Sequence, residues 1–123
     1  MSSLVFNKTT KKLTWGAEHY NAISGGFGLG PLPDGSYEVK TRNVVTGTHL
    51  ASGFENTLTG NKWFIPIIPN FAETRSGFGI HPDGNVPGTK GCIGLQASDA
   101  GSFWRRWMNT TLSSRPTQVT VKS

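Results

Sequence analysis

The chain has 123 residues, with 12 Lys and Arg against 7 Asp and Glu and a formal net charge of +5. That length predicts a single domain over residues 1–123, able to bury roughly two-thirds of its unfolded surface. A hydrophobic content of 35% excludes disorder, the lone cysteine excludes an intrachain disulfide, and no apolar run approaches the ~20 residues of a membrane span.

Sixteen glycines and seven prolines, scattered among short apolar runs, predict a mainly β fold rich in turns. Leu4-Val-Phe6 and Lys12-Leu-Thr-Trp15 read as a hairpin. Gly16-Ala-Glu18 reads as a second turn, leading to Tyr20-Asn-Ala-Ile23. Residues 24–35 form a Gly/Pro loop; without a following Lys-Ser/Thr or a helical pattern, it is not a phosphate loop. Ser36-Tyr-Glu-Val-Lys-Thr41 alternates cleanly as a strand. Residues 43–61 are polar and lack a period, so a loop with one short strand is expected there.

Residues 62–69 are apolar but carry two prolines, which predicts an edge or bulged strand. In Gly77-Phe-Gly-Ile-His81, alternate glycines should leave one strand face bare for a substrate or another backbone to approach. Residues 98–109 predict one helix, capped by Ser98 or Asp99. The pairs Phe103/Trp107 and Trp104/Met108 would form its apolar stripe, read as core packing, with Arg105 and Arg106 facing away. Gln118-Val-Thr-Val-Lys122 should close the sheet.

The basic balance suits an anionic partner such as nucleic acid, membrane or cell wall. Nucleic acid prefers a basic stripe interleaved with aromatics, and Lys8/Lys11/Lys12 and Arg105/Arg106 are small clusters, so no nucleic-acid partner is expected. Residues 1–8 lack the basic segment and long apolar stretch of a secretory signal. The expectation is synthesis in the cytoplasm and, for any action outside it, delivery by another route. His19 and His49 lack partners at metal-ligand spacing, so neither a metal nor another cofactor is expected.

His81 and Cys92 flank a ten-residue Gly/Pro loop, each at the end of a short apolar run. A thiol with pKa near 8.5 is mostly protonated at neutral pH and needs a base or a paired imidazolium to act as a nucleophile. Cys92 is the candidate nucleophile and His81 the base. The backbone N–H groups of Gly91 and Cys92 are candidate oxyanion donors. The acceptor that orients His81 is open between Asp83 and a backbone carbonyl, for instance within residues 84–88. Arg75 suits a substrate carboxylate bidentately and Lys90 as a point charge. For Trp63 and Phe78 core packing is the first reading and lining a groove the second.

The spacing His81-x10-Cys92 with Thr89-Lys-Gly-Cys-Ile-Gly-Leu95 resembles the signature of the YkuD-type L,D-transpeptidases. The short histidine-to-cysteine loop resembles their compact branch, the L,D-transpeptidase-like effectors of type VI secretion. Gly30-Pro-Leu-Pro-Asp-Gly-Ser-Tyr37 and Arg75-Ser-Gly-Phe-Gly-Ile-His81 are similar to elements of that branch. One departure is Gly94, where many members carry Arg, or Asn in some.

The resemblance implies a YkuD-like β-sandwich with one helix. It implies an enzyme in which Cys92 attacks a peptidoglycan tetrapeptide stem and an acyl-enzyme is resolved by water, by another stem or by a D-amino acid. Arg75, Lys90, Asp83 and Phe78 would contact the stem. An interbacterial toxin with an immunity protein and a secretion apparatus as partners is the implied setting, acting in the periplasm or cell wall of a target cell. A phage lysis enzyme of the same fold and a non-catalytic wall-binding β-domain are the alternatives.

Overall fold

The computed structural model describes residues 3–25, 30–47, 50, 54–83 and 92–123. Within them run nine strands: β1 (Leu4–Asn7), β2 (Lys12–Trp15), β3 (Glu18–Ile23), β4 (Gly35–Val39), β5 (Val45–Thr46), β6 (Trp63–Pro69), β7 (Gly79–Pro82), β8 (Ile93–Leu95) and β9 (Gln118–Lys122). One helix, α1 (Ala97–Asn109), and a 3-10 turn, Leu112–Ser114, precede β9. The architecture is therefore mainly β with a single helix near the C-terminal end, as the sequence implied. No helix among the described residues is long and apolar enough to cross a membrane.

The strand order is β4-β9-β1-β2-β3-β8-β7-β6-β5, and a further β4–β6 pairing brings the sheet back on itself. Strand β9 lies between β4 and β1, parallel to β1 and antiparallel to β4. The hairpins follow from period-two alternation, since Leu4 and Phe6 of β1, and Leu13 and Trp15 of β2, are buried on one face. These rows continue into Val119 and Val121 of β9 and Tyr20 and Ala22 of β3, all buried.

Helix α1 fills the inside of this curved sheet. Ala100, Phe103 and Trp107 are fully buried. Phe103 lies 5.6 Å from Trp15 and 5.3 Å, edge-on, from Tyr20. Each such side chain contributes about 1.5–3 kcal/mol through its burial. The other half of the expected stripe is not core: Trp104 is only half-buried and Met108 is 56% exposed.

Three local expectations need correction. The helix begins one residue before the expected start, with Gln96 at the N-cap and no side-chain cap. Ser98 and Asp99 lie inside the first turn, where the Asp99 carboxylate accepts the Asn21 backbone N–H at 2.6 Å. Asp99 was thus recruited by a tertiary partner, and its negative charge still suits the helix N-terminus. Arg106 does not face away. Its guanidinium lies 4.1 Å over the Trp15 ring and donates to the Trp15 carbonyl and to Glu18, both at 2.7 Å.

The third correction concerns β6, which is neither an edge nor a bulged strand. It pairs with β5 through residues 63–64, with β7 through 65–66 and with β4 through 67–69. Its partner changes beside Pro66, so no ladder has to run unbroken past a residue that lacks an N–H. Alternation along β6 sends Trp63, Ile65 and Ile67 into the core and leaves Phe64 on the opposite face.

Candidate active site

Strands β7 and β8 are adjacent and parallel, in the register Ile80↔Ile93, His81↔Gly94 and Pro82↔Leu95. Paired residues of a ladder point to one face, as do residues two apart on a strand. His81 is therefore opposite Gly94. Cys92 stands at the entrance of this strand, one residue before β8 begins. The ten-residue separation in sequence becomes a step between neighbouring strands. Glycine at 94 puts no side chain beside the imidazole on that strand.

The other flank of His81 is aromatic. Phe64 stacks on the imidazole at 5.9 Å and 13°, and Phe54 meets it edge-on at 4.6 Å. Phe54 and Phe64 are themselves 5.3 Å apart. The alternate-glycine face is not bare, because Phe64 covers it. A Cβ on Gly79 would lie 2.2 Å from the Phe64 ring. Glycine at 79 is required so that this ring can lie against the strand, and not for a substrate backbone. Gly77 serves the backbone conformation: its φ is +77°, a region most side chains avoid.

His81 is 3% exposed. Its Nδ1 lies 2.7 Å from the Pro82 carbonyl, so the neutral ring carries its proton on Nδ1 and donates it there. Nε2 is left as the base. The orienting group is thus the main chain of the next residue and not Asp83, whose carboxylate accepts from the Gln96 side chain at 3.3 Å. Burial disfavours the imidazolium and lowers the pKa of His81 to about 4, against a smaller opposing effect of the Pro82 carbonyl.

Cys92 is also buried, which pushes its thiol pKa up. A hydrogen bond from the backbone of Gly79 acts in the opposite direction. The thiol donates to the Gly77 carbonyl at 3.6 Å. Burial thus favours the neutral form of each group over an imidazolium and a thiolate.

Arg75 and Phe78 flank, along the chain, Gly77, whose carbonyl accepts from the thiol. They line a groove of about 420 Å³ with Gly77, Phe71 and Glu73. The Arg75 guanidinium lies over the Phe78 ring at 5.5 Å and bonds Glu73 at 3.1 Å and the Pro31 carbonyl at 3.4 Å. The Arg75 backbone N–H, which donates to Glu73 at 3.1 Å, and then the guanidinium hold the Glu73 carboxyl below its ordinary pKa. Phe78 is a core residue as well, edge-on to Tyr37 at 6.1 Å. The 30–37 segment is where Arg75 leans: Pro31 accepts from it, Leu32 is fully buried, and the Tyr37 hydroxyl donates to the Pro33 carbonyl at 2.7 Å.

Lys90 and Gly91 lie outside the described residues. Trp63 is not in this groove; it is buried on the helix side of β6. Sequence reasoning missed Phe54 and Phe64, and it left a backbone carbonyl open as the acceptor for His81 without naming Pro82. Only Phe64 left a signal, since parity along Trp63-Phe64 puts one of the two on the histidine's face. Among the described residues no cluster of His, Cys, Asp or Glu could hold a metal.

No protein-family model matches the chain, and no curated protein sequence matches it. Solved structures do. A structure of Bdellovibrio bacteriovorus Bd1075 superimposes with a TM-score of 0.65 at 14% identity, over 97% of this chain and 46% of that one. An L,D-transpeptidase from Mycobacterium tuberculosis H37Rv gives 0.57 at 17% identity, over 99% and 57%. The catalytic domain of the E. faecium L,D-transpeptidase acylated by ertapenem gives 0.51 at 17% identity, over 98% and 95%. The fold is that of L,D-transpeptidase catalytic domains. The chain spans about half the length of the first two of these and nearly all of the E. faecium domain.

Proposed function

We propose that the protein is a peptidoglycan-modifying cysteine enzyme acting on tetrapeptide stems as an L,D-carboxypeptidase or L,D-transpeptidase. The observation that carries this reading is the parallel β7–β8 register. It pairs His81, whose Nδ1 is bonded to the Pro82 carbonyl, with Gly94 two residues after Cys92, and this supports a Cys92–His81 site within the fold of L,D-transpeptidase domains.

In the proposed reaction the thiol turns from the Gly77 carbonyl towards Nε2 of His81 and gives up its proton as sulfur attacks the carbonyl of the stem's L-centre. The Sγ–C bond forms, the C–N bond to the terminal D-alanine breaks, and His81 passes the proton to the leaving amine. The backbone N–H groups of Gly91 and Cys92 hold the oxyanion, each such donor contributing about 3 kcal/mol. Water, a second stem amine or a free D-amino acid then releases the acyl group. Arg75 faces the stem carboxylate and shares its fork between that carboxylate and Glu73, over Phe78. Lys90 and Asp83 complete the stem contacts. The setting proposed is an interbacterial toxin delivered by type VI secretion, with an immunity protein.

Mass spectrometry of muropeptides after incubation tests the reaction. Loss or exchange of the terminal D-alanine is expected, and none with Cys92→Ala or His81→Ala. Unchanged tetrapeptide stems with folded wild-type protein refute it. A second reading, a wall-binding β-domain with an inert thiol, is favoured by the burial of Cys92 and its raised pKa. Ertapenem separates the two. An enzyme gains the mass of the drug on Cys92, and a binding domain gains none.

A further inference from the structure

The half of the α1 stripe that the core does not use forms a site of its own. Trp104 lies parallel to Trp63 at 4.7 Å and 12°, and Trp63 is in turn parallel to Phe103 at 5.9 Å. Trp63 and Phe103 are buried, whereas Trp104 is half-exposed. The Trp104 indole is thus a flat apolar plate held rigid from behind. It forms one wall of a groove of about 420 Å³ whose other walls include Thr46, Asn61, Lys62 and Met108. That volume lies within the range of about 300–1,000 Å³ of small-ligand sites.

The groove belongs to the opposite face from the thiol. Adjacent residues of β6 point to opposite sides, so Phe64 covers His81 while Trp63 supports Trp104. Its rim is polar. Thr46 and Asn61 are exposed, and the Asn61 carboxamide has no hydrogen-bond partner among the described residues. Lys62 gives one proton to the Leu50 carbonyl at 3.1 Å, and an ammonium has three to give.

We infer that this groove binds a β-linked N-acetylhexosamine chain, the glycan part of the polymer whose stems Cys92 is proposed to cleave. A pyranose ring has an apolar C–H face that matches an indole plane and a hydroxyl and acetamido edge that matches a hydroxyl, a carboxamide and an ammonium. An apolar protein partner fits less well, because among the described residues Met108 is the only strongly exposed large apolar side chain in this groove. The identity of the sugar rests on the peptidoglycan reading. The groove itself does not depend on Cys92 chemistry.

The test is a ¹H–¹⁵N NMR titration of the full chain carrying Cys92→Ala with a β-1,4-linked N-acetylglucosamine tetramer, to about 10 mM. The Trp63 and Trp104 indole N–H signals are expected to shift saturably. Trp104→Ala should weaken binding roughly tenfold and Asn61→Ala or Thr46→Val about threefold, the latter two at exposed positions that leave the core intact. The absence of a saturable shift at both indoles overturns the inference. So does binding that Asn61→Ala and Thr46→Val leave unchanged, or a concentration-dependent shift of these signals without sugar, which marks self-association on this face. Sugar binding by a protein that makes no muropeptide product refutes the proposed reaction alone. Product without sugar binding refutes the groove alone.

Discussion

Burial of His81 makes the protein acid-labile in a defined window. The folded ring has its pKa lowered from 6.5 to about 4. As pH falls below 6.5 the unfolded ring takes up a proton while the folded ring stays neutral, so protons favour the unfolded state. The stability lost is about 3 kcal/mol by pH 4, of which about 2 kcal/mol is gone at pH 5, and the loss levels off below the folded pKa. Asp34 and Glu73 have folded pKa values below their ordinary 3.8 and 4.5, so their contributions are lost only as pH falls beneath that range. The interval from pH 6.5 to 5 therefore reports mainly on His81. Urea unfolding across that interval should show the unfolding free energy falling in the wild type and falling about 2 kcal/mol less in His81→Asn, whose carboxamide can still donate to the Pro82 carbonyl. Parallel curves for the two proteins would refute the argument that a buried neutral imidazole dominates acid stability here.

Other consequences follow from single contacts. Gly79→Ala puts a methyl 2.2 Å from the Phe64 ring and should destabilise by about 1–3 kcal/mol in urea unfolding, with part of the loss restored by adding Phe64→Leu. Arg106→Ala removes the Trp15 stacking and two hydrogen bonds and should cost about 1–2 kcal/mol, with Arg106→Lys recovering less than half. A wild-type stability for Arg106→Ala would contradict its role as a tether between α1 and the β2–β3 turn. Alkylation of Cys92 by iodoacetamide, in the absence of substrate, should be slower at pH 7 than for an exposed thiol and rise with pH past the ordinary thiol range, because burial raises its pKa. Fast alkylation at pH 6 would overturn that assignment.

The sequence by itself determined the elements whose information is local. Period-two alternation placed β1, β2, β3, β4 and β9, and the run from Phe103 to Met108 placed α1. A histidine and the lone cysteine also stood out as a candidate pair, because the chemistry needs both residue types and glycine surrounds the thiol. What tertiary structure alone decided was everything set by which strand lies beside which. The parallel β7–β8 register turns a ten-residue spacing into a step between neighbouring strands. The switch of β6 between three partners, beside a proline that would otherwise break a ladder, could not be read from an apolar run with two prolines. Phe64 fills the face that Gly79 leaves open, and only the β6–β7 pairing brings them together. The orienting acceptor of His81 is a main-chain carbonyl, present at every residue and so invisible as a residue type. Arg106 and Asp99 were drawn from the expected solvent face and cap by partners 88 and 78 residues away. Side-chain identity sets what a residue can do, but burial and neighbours decide whether His81 and Cys92 stand charged or neutral, and those are properties of the packed chain.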